Sequence, residues 1–149
     1  MSEKKTRFEA VLDGWVNGVA PVAPIGTLLG FRFTSFEGGV VRVEMEAGPR
    51  HHNPMGIVHG GIFCDLGDAA MGMAFATTLA DDESFATLQL QASYLRAVRE
   101  GLLVATGRVV HRGRTVGHTE CEVVDGEGRP VARLTSVCSV LRGGKSDRA

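Results

Sequence analysis

The sequence predicts an α+β domain in which an antiparallel β-sheet curls around one central, buried helix. Three observations predict it. From His59 the side chains are apolar or small all round for about five turns, as in a helix covered on most sides. Four long Val- and Thr-rich runs follow (84–98, 102–111, 115–125, 130–141), separated by turn signals at Arg99-Glu100-Gly101, Arg112-Gly113-Arg114 and Gly126-Glu127-Gly128. Ahead of the helix, Val41, Val43 and Met45 alternate with Arg42, Glu44 and Glu46, the period of a half-buried strand.

Taken in order, Phe8, Val11, Leu12 and Trp15 fall at helical spacing and predict an amphipathic helix over about 3–18, ending near Gly18. The prolines of Pro21–Gly26 cannot continue it, and the segment reads as a connector. Strands are expected over 28–36 and 39–47, joined at Glu37-Gly38-Gly39, then a loop from Gly48 to Met55 with two prolines and two adjacent histidines. Gly67 and Gly72 inside the central helix each cost on the order of 1 kcal/mol relative to Ala, so close approach by a neighbouring element must offset them. The short turns among the last four strands predict pairing between consecutive neighbours. Nothing marks a domain boundary, so 1–149 is expected to be a single domain, with a disordered tail over 143–149.

Composition narrows the function classes. The chain has 149 residues, 44% of them hydrophobic and 22% charged, which suits one folded domain. With 16 Lys+Arg against 17 Asp+Glu it lacks the basic excess of a nucleic-acid binder. The apolar stretch Ile62–Leu79 carries Asp65 and Asp68 and has no flanking Lys or Arg, so it reads as a core helix, not a membrane span. Cys64, Cys121 and Cys138 form no CxxC pair and no zinc spacing, and the first residues lack the apolar core of a signal peptide. A cytoplasmic, reducing setting and no metal are therefore expected.

The chemistry concentrates in HHNPMGIVHGGIFCDLGDAAMG, residues 51–72. It places the Asn53 amide in a loop, His59-Gly60-Gly61 at a helix start, and Asp68 eight residues beyond Gly60. Unpaired N–H groups at a helix N-terminus stabilise negative charge, and glycine there lets a carbonyl approach closely. Gly60 N–H is thus a candidate oxyanion donor, with Asn53 as a possible second contact. A carboxylate in an otherwise apolar helix is costly to bury without a partner or a task.

This stretch resembles the hotdog-fold acyl-CoA thioesterases, in particular the PaaI-like and 4-hydroxybenzoyl-CoA thioesterase group. The likeness is carried by His51-x-Asn53-Pro54, Gly56, His59-Gly60-Gly61 and Asp68, and extends through LQLQASYLRAVREG (88–101) and HRGRTVGH (111–118). The resemblance implies hydrolysis of an aromatic or short- to medium-chain acyl-CoA, with Asp68 as general base or nucleophile. Gly60 N–H would polarise the thioester carbonyl, Asn53 would hold substrate or water, and His59 would brace the loop. Gly61 and the hydroxyl of Thr87 would lie at the substrate. Arg96, Arg99, Arg112 and Arg114 are the candidates for the CoA phosphates. No cofactor is implied, since CoA belongs to the substrate. In relatives the site is shared across a dimer interface, which implies a homodimer or a homotetramer built from two dimers.

Other residues read more plainly. Asp65 suits a structural or interface role, and His111 and His118 flank a turn and face solvent. Met71, Met73 and Phe75 suit core packing or an acyl pocket. Cys64 has no paired histidine to activate it. A non-catalytic acyl-CoA sensor and a hotdog enoyl-CoA hydratase are the alternatives. The hydratase needs a histidine shortly after the aspartate, which this helix lacks.

Overall fold

The computed structural model describes residues 4–143. Its elements are helices α1 (Arg7–Val16), α2 (Pro24–Leu29) and α3 (Gly60–Ala76), with strands β1 (Phe31–Glu37), β2 (Val40–Ala47), β3 (Glu83–Tyr94), β4 (Gly101–Arg112), β5 (Val116–Asp125) and β6 (Pro130–Arg142). The strands form one antiparallel sheet in the order β1-β2-β4-β5-β6-β3. The fold class is the α+β arrangement expected from the sequence, with α3 lying against the inner face of the sheet.

Close approach explains the small residues. A Cβ on Gly107 of β4 would stand 2.4 Å from the backbone of Ala70, and one on Gly67 of α3 would stand 2.8 Å from Leu134 of β6. The core lies between helix and sheet: Leu66, Ala70, Met71, Ala74 and Phe75 of α3 are fully buried with Val41, Val43, Leu103, Val123 and Leu134 of the strands. Helix α1, opened by a Thr6/Glu9 capping box, buries Leu12 and stacks Trp15 on Phe33 of β1. The turn between β1 and β2 places both Gly38 and Gly39 at positive φ, as a two-residue hairpin requires.

Three expectations are corrected. Residues 24–29 are helical, because Pro24 sits in the first turn of α2, where a missing N–H costs nothing; the strand after it accordingly starts at Phe31 and not at 28. The third strand stops at Tyr94 and not at 98. It also pairs with β6, across Thr87↔Cys138 and Tyr94↔Ala132, and not with β4. Residues 95–100 are an irregular crossover: Leu95 N–H bonds to Val131 O, and Val98 O accepts from Val58 N–H. The result leaves β3 as an edge strand with one flank open. The tail over 144–149 and the first three residues lie outside the described residues. Among the described residues no helix is long and apolar enough to cross a membrane.

Candidate active site

The loop before α3 is built around Asn53. Its side-chain carbonyl accepts from the N–H of Met55 (2.9 Å) and Ile57 (3.4 Å), and its main chain exchanges bonds with Ile57 and Gly56. That use of Oδ1 leaves the Nδ2 donors without a bond among the described residues. Two histidine rings pin the loop. His51 is buried; its Nδ1 accepts from Gly48 N–H at 3.1 Å, so the ring proton sits on Nε2, which donates to Leu29 O at 3.0 Å. His52 Nε2 lies 2.6 Å from Arg99 O. Their rings join His59 in bracing the loop. His59 contributes through its backbone, donating to His51 O at 2.8 Å, while its ring lies over Gly61, where a Cβ would stand 3.1 Å away.

His59 is the N-cap of α3, and Gly60 and Gly61 form its first two positions. Their N–H groups have no intrahelical acceptor and no other partner among the described residues. Gly60 also lines a cavity of about 380 Å³ with Asn53, Phe63, Tyr94 and Arg96. A larger hollow of about 500 Å³ lies on the opposite, outer face of the sheet between His111 and His118, remote from α3.

Asp68 is exposed on α3 and accepts a hydrogen bond from the Thr87 hydroxyl at 3.1 Å. Thr87 is aimed there by the irregular step in β3 between Thr87 and Gln89, which leaves Leu88 unpaired. One turn earlier, the Asp65 carboxyl is pushed above its ordinary value by partial burial and then by the charge of Asp68, with His59 opposing. The sequence offered no sign of Tyr94, which stands at this site too: its hydroxyl donates to Gly60 O at 3.0 Å. The only hint available was that it is the single tyrosine in the chain.

The four arginines fall in two groups. Arg96 and Arg99 lie near the N-terminal end of α3, where Arg99 donates to Gly56 O at 3.2 Å and Arg96 lines the cavity. Arg112 lies at the far end, paired with Glu83 at 2.7 Å and stacked over Phe75, and the exposed Arg114 follows it on the β4–β5 turn.

An anion-stabilising helix terminus and an exposed carboxylate on the same helix are groups that suit acyl transfer to water, and the fold has known relatives. The thioesterase superfamily profile matches residues 55–132. The chain is 32% identical to PA1618 of Pseudomonas aeruginosa over 80% of its own length and 84% of the relative. The crystal structure of a point mutant of that protein, described as a thioesterase, superposes with a TM-score of 0.78 over 86% of this chain and 92% of that one, at 27% identity. A 1,4-dihydroxy-2-naphthoyl-CoA hydrolase of Listeria monocytogenes is 29% identical over 65% of this chain and 79% of the relative. A phenylacetic acid degradation-related protein of Ralstonia eutropha JMP134 is 31% identical, with a TM-score of 0.78 over 86% and 98% of the two chains. The chain belongs to the thioesterase superfamily and is a hotdog-fold thioester hydrolase.

Proposed function

We propose that the protein hydrolyses an acyl-CoA thioester with an aromatic or short- to medium-chain acyl group, at a site assembled from two copies of the chain. The observation that carries this reading is the placement of unpaired Gly60 N–H and exposed Asp68 on the same helix, eight residues apart. In this reading the thioester oxygen rests on Gly60 N–H, with the Asn53 amide as a second contact. Asp68, oriented by Thr87, activates water or attacks the carbonyl carbon, and CoA leaves as the thiolate.

Geometry favours two subunits. Eight residues of helix separate Gly60 from Asp68 by about 12 Å along the axis. A nucleophile must stand roughly 3–3.5 Å from the carbon it attacks. The Asp68 that serves a carbonyl bound at Gly60 is therefore the partner's. The open flank of β3, with Thr87, Leu88 and Tyr94 exposed along it, is a natural pairing edge. Arg96 and Arg99 are the better placed of the four arginines for CoA phosphates at the cavity, while Arg112 is committed to Glu83. No cofactor is needed, and the three free thiols suit a reducing, cytoplasmic setting. An aromatic acyl group is favoured by the hydrolase relative that acts on a naphthoyl-CoA.

Thiol release measured over aromatic, short-chain and medium-chain acyl-CoAs tests the reading. Turnover on at least one class is expected, by a species that light scattering shows to be a dimer or larger. No release from any ester, or full activity in a monomer, would overturn it.

A further inference from the structure

The Gly60 carbonyl and the Gly61 N–H are the two ends of one peptide group, and Tyr94 touches it. The Tyr94 hydroxyl donates to Gly60 O at 3.0 Å while Cys64 Sγ stands 3.5 Å from the same hydroxyl. Since the single phenolic proton is spent on Gly60 O, the Cys64 thiol is the donor in the second contact. A chain of donors thus runs from the thiol through the phenol to the peptide carbonyl. Drawing electron density toward that carbonyl makes the N–H at the other end of the peptide a stronger donor, because linked hydrogen bonds polarise one another.

The surroundings are built for this contact. A Cβ on Gly60 would stand 2.9 Å from the Tyr94 hydroxyl oxygen and 3.0 Å from its ring carbon, so glycine at this position lets the ring lie this close. Phe63 holds the ring edge-to-face at 6.0 Å. Both Tyr94 and Gly60 line the cavity beside Asn53. The phenol is shifted upward from its ordinary value of 10, so it stays protonated and remains a donor at neutral pH.

We propose that Tyr94 is a positioning residue that polarises the Gly60–Gly61 peptide and so makes Gly61 N–H a second oxyanion donor beside Gly60 N–H. This rests on the acyl-CoA thioesterase reading above. Tyr94 touches no substrate atom in this role; it acts through the peptide. Linked hydrogen bonds gain roughly 10–30% in strength, and a whole oxyanion donor is worth roughly 10²–10³ in kcat. Loss of the hydroxyl should therefore lower kcat about two- to eightfold.

The test uses Tyr94→Phe, which keeps the ring and removes the donor, and the wild-type protein produced with 3-fluorotyrosine. As Tyr94 is the only tyrosine, the fluorinated amino acid labels this site alone. Its ring fluorine makes the hydroxyl a stronger donor, and the assay is run well below its ionisation. The proposal expects kcat to fall in Tyr94→Phe with KM unchanged, and to rise with fluorotyrosine. It also expects the Gly61 amide proton of free Tyr94→Phe protein to move upfield in NMR spectra. An unchanged kcat, a loss confined to KM, a fluorinated enzyme no faster than wild type, or a stationary Gly61 amide would each overturn it. Failure of the wild type to release thiol would instead overturn the thioesterase reading, and the amide shift would still decide whether Tyr94 polarises the peptide.

Discussion

At the C-terminal end of α3 caps and ion pairs engage most polar groups, whereas at the N-terminal end the backbone donors of Gly60 and Gly61 have no partner among the described residues. The hydroxyls of Thr77 and Thr78 cap the last carbonyls at 2.7 Å each, and Gly39 N–H donates to Thr77 in turn. Just beyond, the buried Glu83 carboxylate accepts from Ala80 N–H and pairs with both Arg112 and Arg142. Arg7 ties α1 to the same corner through Asp81 and Glu83. The opposite end has glycines and a cavity, and the exposed Asp68 carboxylate lies midway along the helix. One helix thus separates stability from chemistry: caps and ion pairs fasten one terminus, and backbone donors at the other are left for a ligand.

If the division holds, changes at the closed end alter stability and spare turnover, and changes at the open end do the reverse. The largest stability effect is expected at Gly117, where a Cβ would stand 2.1 Å from the Phe75 ring. Phe75 is fully buried between Phe85 and Arg112 and cannot step aside. Gly117→Ala should cost about 3 kcal/mol in denaturant unfolding, with kcat of the folded fraction unchanged. A large loss of kcat there would break the separation.

Glu83→Gln should be milder and dependent on pH. The Glu83 carboxyl is held below its ordinary 4.5, first by the Ala80 N–H and then by Arg142 and Arg112, against the opposing effect of burial. A lowered folded-state value contributes stability that is present above the unfolded value and lost as pH falls through the folded one. Thermal melts should therefore show the variant less stable than wild type at neutral pH, with the gap closing in acid below 4.5. A gap independent of pH would show that the carboxylate's charge is not what fastens this end.

Midway along the helix, Thr87→Val removes the hydroxyl that holds Asp68 and keeps the shape. It should lower kcat about tenfold, a loss of about 1.4 kcal/mol in the transition state, with little change in melting temperature. Equal kcat in the variant would free Asp68 from any dependence on Thr87.

The sequence made the open end readable because its chemistry is local. His59-Gly60-Gly61 and Asp68 lie on one helix, whose pattern places them without any knowledge of the sheet. The closed end depends on contacts distant in sequence, such as Glu83 with Arg142 and Gly117 with Phe75, and no local pattern encodes them. The same reason hid the β3–β6 pairing. A short turn signal at Arg99-Glu100-Gly101 implied a hairpin with β4, but Leu95 and Arg96 hydrogen-bond to Val131 and carry the chain across. Tyr94 was missed because a strand-end tyrosine carries no signal until the helix terminus beside it is known. Pro24 lies in a segment that reads as a connector, yet it opens α2, because a proline that cannot continue one helix can start the next.

The central claim is that the exposed carboxylate on α3 drives the hydrolysis, and Asp68→Asn tests it most directly. Asparagine keeps the size and the Thr87 contact but is neither a base nor a nucleophile at neutral pH. On the best ester of the panel, single-turnover thiol release should fall by roughly 10²–10⁴, the usual contribution of a general acid–base group, with the melting temperature preserved. Release at the wild-type rate would contradict the account.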